Sequence, residues 1–202
     1  RCKQVIEDLE EIEQTVSEFQ QRATGLLKIS SPNLLGEMHI VPAIADFLKE
    51  HNTLEIELNF FSKKVDLIED AYDVAIQVGS RTDINVVNKP LATTTFKLVA
   101  SPRFLNQCGT PEDPDDLKIM RCLKFTEYGT SKPWRFVSGV DKMSVNGMCH
   151  WHSSSGHCLL AAARQDMGLA YLPDYYVSED VKAGTLVPVL EDWCGVERDI
   201  VA

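Results

Sequence analysis

Strand-like and helix-like patterns alternate between residues 25 and 79, and this alternation most constrains the fold. Residues 26–30 form a short apolar run, residues 54–60 alternate apolar and polar side chains, and residues 73–79 form an apolar run that ends in glycine. Apolar side chains at helical spacing fill the two intervals between these runs. A β-α-β-α-β order predicts a parallel sheet with right-handed crossovers.

The same alternation restarts after residue 100 and predicts a second unit. We expect a short helix at 103–107, short strands near 121–125, 134–137 and 143–149, a helix at 156–165, a strand at 169–173, a helix that ends near Lys182 and a strand at 186–190. The fold class is therefore α/β, with two Rossmann-like subdomains joined by a hinge and separated by a cleft. The predicted boundaries are 25–100, with a return strand near 198–202, and 101–197.

The first 22 residues predict a helix with an apolar seam. Apolar side chains recur in steps of three and four, which is a heptad pattern, at Cys2, Val5, Leu9, Ile12, Val16 and Phe19. Residues 1–24 are therefore expected to form a linker helix that pairs with a second copy in a dimer. The alternative is an amphipathic helix that packs on its own domain. The chain begins inside this helix without an initiator Met, which favours a fragment of a longer protein.

Composition excludes several classes of protein. The chain has 202 residues and 44% hydrophobic residues, which is enough apolar surface to exclude dominant disorder. Apolar runs are too short to span a bilayer, and the first residues do not resemble a secretory signal. A net charge of −10 argues against direct nucleic-acid binding by these residues. Six scattered cysteines without a C-x-x-C pair fit reduced thiols, so the expected location is the cytoplasm.

Polar side chains follow several predicted strands and suggest a ligand site. Ser31 and Asn33 follow the first strand, Ser62 the second and Gln77 lies in the third, while Ser154 precedes the helix of the second unit. Ligands bind outside the carboxyl ends of such strands, and two helix N-termini that face one cleft favour an anion such as a carboxylate. The alternative is that each serine is only a helix cap or a turn residue.

Residues 149–158 concentrate cysteine and histidine. His150, His152, His157 and Cys158 are the candidate ligands for zinc or copper, although their spacing fits no established metal motif. The alternative, which we favour, is that the cysteines are core residues and the histidines line a polar cleft. No nucleophile elbow, dinucleotide fingerprint or P-loop occurs, so we do not expect an enzyme or a cofactor.

Several short motifs, taken in order, resemble the effector-binding region of LysR-type transcriptional regulators. None is specific alone, but their joint order and spacing are. They are residues 25–30, Gly36, Pro42, 47–48, 65–68, 73–79, 91–92, 98–102, 109–111, 115–117, 161–163, 168–170, 172–173 and 184–190.

This resemblance implies a fold like that of type II periplasmic binding proteins, with a small-molecule effector in the cleft. It implies effector contacts at Ser31, Asn33, Ser62, Gln77, Gly79, Ser101, Ser154 and Ser155, and more loosely at Trp134 and Pro173. Many members of the family have Arg where Gln77 stands, which suggests a less acidic or neutral ligand here. A final helix is also expected after residue 202.

The sequence as a whole predicts the effector-sensing and oligomerisation region of a LysR-type regulator. The resemblance implies a dimer, a tetramer in the full-length protein, and DNA binding only through an N-terminal winged helix-turn-helix domain outside these residues. No membrane partner is expected. The effector is expected to be an organic acid or a related metabolite. The alternatives are a solute-binding protein for transport and a metal-responsive sensor that uses the 149–158 cluster.

Overall fold

A computed structural model describes residues 23–61, 71–79, 87–127 and 130–202. The predicted heptad helix, with Val5, Leu9, Ile12, Val16 and Phe19, lies outside the described residues, as does Ser62. No helix in the described ranges is long and apolar enough to cross a membrane.

The first unit is built on a parallel sheet. Strands β1 (Gly25–Ser31), β2 (Leu54–Phe60) and β3 (Val74–Ala75) lie in the order β2-β1-β3, and both pairings are parallel. The connection from β1 to β2 consists of α1 (Asn33–Leu35), a π-helical turn (Gly36–Ile40) and α2 (Val41–Glu50). The parallel pairing predicted from the alternation of patterns is therefore confirmed for these three strands.

The second unit is built on a larger mixed sheet. Strands β6 (Phe96–Ala100), β7 (Arg121–Glu127), β11 (Met148–Ser153), β12 (Leu169–Pro173) and β13 (Val187–Val189) lie in the order β11-β7-β12-β6-β13, and β8 (Thr130–Ser131) pairs with β7. Its helices are α3 (Pro102–Cys108), a 3-10 helix (Pro114–Lys118), α4 (Gly156–Arg164) and α5 (Asp174–Ala183). A buried apolar cluster covers each face of this sheet.

Strand β6 belongs to this second sheet, although the sequence-based boundary at residue 100 placed it in the first unit. It pairs antiparallel with β12 and β13. The physical reason is its burial on both faces: Leu98 packs into one apolar cluster and Val99 into the other. The boundary between the sheets therefore lies before Phe96.

Two small antiparallel sheets complete the structure. Strand β15 (Arg198–Val201) lies between β4 (Gln77–Val78) and β5 (Pro90–Thr94), so the end of the chain returns to the first unit. Its Ile200 packs into the apolar cluster that contains Ile29 and Leu35. Strand β9 (Trp134–Ser138) lies between β10 (Asp141–Val145) and β14 (Cys194–Gly195) on the second unit. The two units are thus linked by the segments between β5 and β6 and between β14 and β15.

One of these linking segments is anchored to α5. The hydroxyl groups of Thr94 and Thr95 donate to the two carboxylate oxygens of Asp174, at 2.7 and 3.2 Å. The backbone N–H of Asp174 donates in return to the carbonyl of Thr95. These bonds hold the crossing between the units close to the end of β12, beside the cavity described next.

Candidate ligand-binding site

A cavity of about 520 Å³ lies between the two units. The first unit contributes residues at the end of β1 and the beginning of α1, together with Ile76 and the residues of β4 that follow it. The second unit contributes the turn between β11 and α4, and the junction between β12 and α5. Strand ends and helix starts from both units therefore surround one space, which is where open α/β sheets bind ligands.

The structure brings together seven of the ten residues predicted as ligand contacts. The residues of this set that line the cavity are Ser31, Asn33, Gln77, Gly79, Ser154, Ser155 and Pro173. Contact of these residues with a ligand stays a prediction.

The structure places Ser101 and Trp134 away from the described cavity lining. Ser101 caps α3, where its hydroxyl oxygen accepts a hydrogen bond from Phe104 N–H and donates one to Asp166 at 2.6 Å. Trp134 is 6% exposed and packs behind Tyr171, with ring centroids 5.6 Å apart. Both residues therefore have structural roles here: Ser101 holds the start of a helix, and Trp134 supports the wall of the cavity.

The polar side chains of the lining differ in whether they already have hydrogen-bond partners within the protein. Ser155 caps α4, because its side-chain oxygen accepts from the backbone N–H of Cys158 at 3.4 Å. Ser31 does not cap α1, and its hydroxyl donates instead to the carbonyl of Pro32 at 3.2 Å. The side-chain nitrogen of Gln77 is buried and has no hydrogen-bond partner among the described residues. An unsatisfied buried donor is costly, so an acceptor oxygen on a ligand would stabilise this amide.

The charged side chains of the lining are cationic. Lys132 and Arg198 line the cavity, and the described lining includes no Asp or Glu. The whole chain carries a net charge of −10, so the described lining has the opposite sign of charge to the chain as a whole. A cleft lined by charges of one sign raises the local concentration of ligands with the opposite charge. The charge of the lining therefore favours an anion.

Aromatic rings form much of the remaining wall, and sequence reasoning did not identify them as site residues. The rings that line the cavity belong to Phe61, Phe96, Phe125, Tyr171, Tyr175 and Tyr176. The strand end at Pro173 is the only sequence signal that pointed toward the two tyrosines that follow it. Sequence patterns did not identify Lys132 and Arg198 as lining residues, because no local pattern distinguishes a Lys or Arg in a cavity from one on the outer surface.

Burial raises the pKa of the tyrosine side chains in the wall. It raises the pKa of Tyr171 to about 12, while the Val196 backbone acts in the opposite direction. Burial likewise raises the pKa of Tyr175 and of Tyr176 above the usual range. The Tyr171 hydroxyl donates to the carbonyl of Arg135 at 2.7 Å. The tyrosines of the wall are therefore neutral across the physiological pH range, and the Tyr171 hydroxyl is already used in a bond within the second unit.

Contacts beside the cavity join the two units directly. Tyr175 on α5 packs against the apolar cluster of the first unit. Nε2 of His157, in the first turn of α4, lies 3.5 Å from a carboxylate oxygen of Glu37. This nitrogen makes no hydrogen bond within the described ranges, so the contact is loose. A relative movement of the units would change both contacts.

The cysteine and histidine candidates for a metal site are spread over two elements. His150 and His152 are exposed on the edge strand β11, where a register shift between Cys149 and Trp151 interrupts the alternation of faces. His157 contacts Glu37 and Tyr176, and Cys158 is exposed. Within the described ranges, no group of three or more His, Cys, Asp or Glu side chains could hold a metal ion.

Comparison with known proteins identifies the family. Residues 20–202 match the family described as LysR substrate binding domain. The chain belongs to this family. The predicted resemblance is therefore confirmed, and the chain corresponds to the effector-sensing regulatory domain of LysR-type regulators.

Relatives of the chain are transcriptional regulators. An uncharacterized HTH-type transcriptional regulator of Escherichia coli K12, YhjC, is 32% identical over 197 residues, and the match covers 94% of this chain and 64% of YhjC. The HTH-type transcriptional regulator CrgA of Neisseria meningitidis is 25% identical, with 95% of this chain and 64% of CrgA covered. The chain thus spans about two thirds of the length of these relatives.

Solved structures share the fold. The regulatory domain of CrgA from N. meningitidis matches with a TM-score of 0.77 and 25% identity, covering 89% of this chain and 87% of that one. The full-length virulence activator AphB of Vibrio cholerae matches with a TM-score of 0.81 and 23% identity, covering 99% of this chain and 68% of AphB. The predicted fold class, two α/β subdomains like those of periplasmic binding proteins, is confirmed.

Proposed function

We propose that a small organic acid binds in the cavity between the two units and is the signal that this regulatory domain senses. The observation that carries the proposal is the charge of the lining. Lys132 and Arg198 line the cavity, its described lining includes no carboxylate, and the chain as a whole is strongly acidic. A carboxylate gains from this local field, whereas the rest of the surface repels it.

The proposed contacts come from both sides of the cavity. Ser31, Asn33, Gln77 and Gly79 belong to the first unit, while Ser154, Ser155 and Pro173 belong to the second. A ligand that touches both sides stabilises one relative arrangement of the units over others, which is the requirement for a sensor. In this division the first unit comprises residues 25–94 with β15, and the second comprises residues 96–195.

The change in the relative arrangement of the two units acts on the rest of the longer regulator. We propose that it passes through the helix predicted at residues 1–24 to an N-terminal domain that binds DNA, and that this helix pairs copies of the protein. The regulatory relatives and the heptad seam support this assignment. A protein with this role works in the cytoplasm, and it binds its effector without converting it.

Exposed apolar side chains on α2 support self-association of the domain as well. Val41 and Phe47 are 44% and 42% exposed, and no residue of α2 is fully buried. Analytical ultracentrifugation of the chain at micromolar concentration is expected to detect a dimer. A strict monomer under these conditions would contradict this part of the proposal.

The binding proposal is tested with the purified chain and a panel of small carboxylates. A ligand at about 100 times its Kd stabilises the folded state by about 2.7 kcal/mol, which raises the Tm by roughly 5–10 °C for a chain of this size. We expect at least one organic acid to produce such a shift, and the uncharged amide of the same compound to produce a smaller one. Mass spectrometry is expected to recover the bound acid unchanged.

Matched variants locate the site. The double variant Ser31→Ala, Ser154→Ala removes one hydroxyl from each side of the cavity, and we expect the Kd measured by calorimetry to rise about tenfold, since each lost hydrogen bond contributes about 0.5–1.5 kcal/mol. Ser144→Ala is the control, because Ser144 is exposed on β10 and lies outside the lining. An unchanged Kd in the double variant would refute this site.

A further inference from the structure

The cavity lining indicates a narrower chemical class of ligand than organic acids in general. The described lining combines two cationic side chains, an unpartnered amide donor and several aromatic rings. We propose that the ligand is an aromatic carboxylate. The inference rests on the proposed function, because it names the chemical class of the ligand for the same site.

The described lining disfavours amino acids as ligands, because it contains no Asp or Glu. A zwitterion brings an ammonium group that loses its water on binding and gains no carboxylate partner in this lining. In this cavity the ammonium group would also be repelled by the guanidinium of Arg198. An acid without a cationic group meets no such repulsion, so it is preferred over the corresponding amino acid.

The aromatic wall is rigid, and this favours a flat unsaturated ligand over a flexible aliphatic one. The ring of Tyr171 lies 5.2 Å from that of Phe96 and 5.1 Å from that of Phe136, with tilted planes. Phe136 is 1% exposed, so the wall is continuous with the core of the second unit. Rings held in this way lose little entropy on binding, and each aromatic pair adds about 0.5–1.5 kcal/mol beyond the area that it buries.

Aromatic residues of the first unit and of β7 also line the cavity. Phe61 follows β2 in the first unit, and its ring makes an edge contact with Tyr72 at 5.6 Å. Phe125 lies on β7 in the second unit and is 38% exposed. A planar body can therefore contact rings of both units at once, and the cavity of about 520 Å³ is within the range for drug-sized ligands.

Gln77 and the cations provide the polar half of the site. The buried amide nitrogen of Gln77 can donate two hydrogen bonds and has no acceptor within the part of the chain that the structure describes. A carboxylate oxygen satisfies it, and the second oxygen remains for the serine hydroxyls or the cations.

The test uses an aromatic acid and three compounds that each change one of its properties: its negative charge, its aromaticity or its lack of an ammonium group. They are 2-naphthoate, its neutral amide 2-naphthamide, the saturated acid decahydro-2-naphthoate and the zwitterion 2-naphthylalanine. Calorimetry on the purified chain is expected to show that the Kd of 2-naphthoate is at least tenfold lower than that of the amide and of the zwitterion. The saturated acid is expected to bind about three- to tenfold more weakly than 2-naphthoate.

Two variants with matched controls assign the effects to residues. Arg198→Gln is expected to weaken 2-naphthoate at least fivefold and to leave the amide unchanged, with Lys142→Gln on exposed β10 as its control. Phe125→Leu is expected to weaken 2-naphthoate about threefold and to leave the saturated acid unchanged. Phe60→Leu is its control, since Phe60 is 39% exposed and is not part of the lining.

The outcomes separate the two proposals. If the saturated acid binds as tightly as 2-naphthoate, the aromatic inference is overturned, while the organic-acid function stands. If the amide binds as tightly as the acid, the anionic function itself fails. If none of the four probes binds while an aliphatic acid of the panel does, the inference is again overturned and the function is supported.

Discussion

A β-carbon on Gly156 would lie 2.6 Å from Cε1 of Tyr176. The first residue of α4 therefore packs directly against a ring of α5 in the wall of the cavity. Only glycine, which has a hydrogen atom in place of a β-carbon, leaves room for the Tyr176 ring at this position. The shape of this part of the wall therefore depends on Gly156. Replacing Gly156 tests how far ligand binding depends on the position of Tyr176.

Gly156→Ala is expected to displace the Tyr176 ring and to weaken ligand binding. The expected cost in the free energy of unfolding is about 1–3 kcal/mol, typical of overpacking. A double-mutant cycle with Tyr176→Leu measures the coupling: in that background Gly156→Ala should cost less. Equal costs in both backgrounds, measured by urea unfolding, would show that the two residues do not interact.

The pair of Arg164 and Asp180 joins α4 to α5 and predicts a pH-dependent stability. Nε and Nη2 of Arg164 donate to the two carboxylate oxygens of Asp180 at 2.7 and 2.6 Å. The hydroxyl of Thr185 donates to the same carboxylate. The hydrogen bonds from Arg164 hold the pKa of Asp180 below its usual value. The Asp180 side chain is 7% exposed and that of Arg164 48%, so solvent partly screens the pair.

Asp180→Asn should therefore destabilise the protein at neutral pH by about 1–3 kcal/mol. The contribution of Asp180 is fully present above its unfolded pKa of about 4 and is lost as the pH falls through the lower folded pKa. Urea unfolding between pH 7 and pH 3 should thus show a shallower loss of stability in the variant. Asp141→Asn, at an exposed position on β10, serves as the control. Parallel pH profiles for D180N and the parent protein would contradict this role.

Ser101 provides a test that separates a helix cap from a ligand contact. Its hydroxyl caps α3 and bonds to Asp166, and the residue is 3% exposed outside the cavity lining. Ser101→Ala is expected to lower the free energy of unfolding by about 1–2 kcal/mol and to leave the Kd for an organic acid unchanged. A clear rise in Kd, without loss of stability, would favour the direct contact that the family resemblance implies.

The cysteines are expected to differ sharply in reactivity. Burial raises the pKa of Cys122 to about 12, and this residue is 0% exposed, whereas Cys108 and Cys158 are exposed. Because the thiolate is the reactive form, N-ethylmaleimide at pH 7.5 should label Cys108 and Cys158 and leave Cys122 unlabelled until the protein unfolds. Peptide mapping by mass spectrometry measures each site. Labelling of native Cys122 at the rate of Cys108 would indicate local opening of β7.

Local patterns were sufficient for several elements and for polar residues of the cavity lining, but the single strand predicted at 143–149 is divided between β10 and β11. The period-two alternation in residues 54–60 predicted β2, and the apolar run at 169–173 predicted β12, because side-chain periodicity follows from backbone geometry alone. Serines at strand ends likewise predicted where two helices begin. Those positions depend on a few neighbouring residues, so a single sequence contains the information.

The aromatic wall and the cations could not be predicted in this way. Phe96 and Tyr171 are 75 positions apart and meet only through the antiparallel pairing of β6 with β12. An apolar ring in a strand is predicted as core by default, and a surface cation has no distinguishing pattern. Arg198 reaches the cavity because the last strand returns to the first unit, which is a long-range event.

Sequence alone determined the family of this protein, its α/β character and an anion-favouring set of strand and helix ends, since these follow from the order and spacing of residue types. The tertiary structure decided which sheet holds β6, which aromatic residues line the cavity and which charged residues line it. The physical reason is that strand pairing and burial are cooperative, long-range choices: they depend on the free energy of the whole packed chain, and no local segment encodes them.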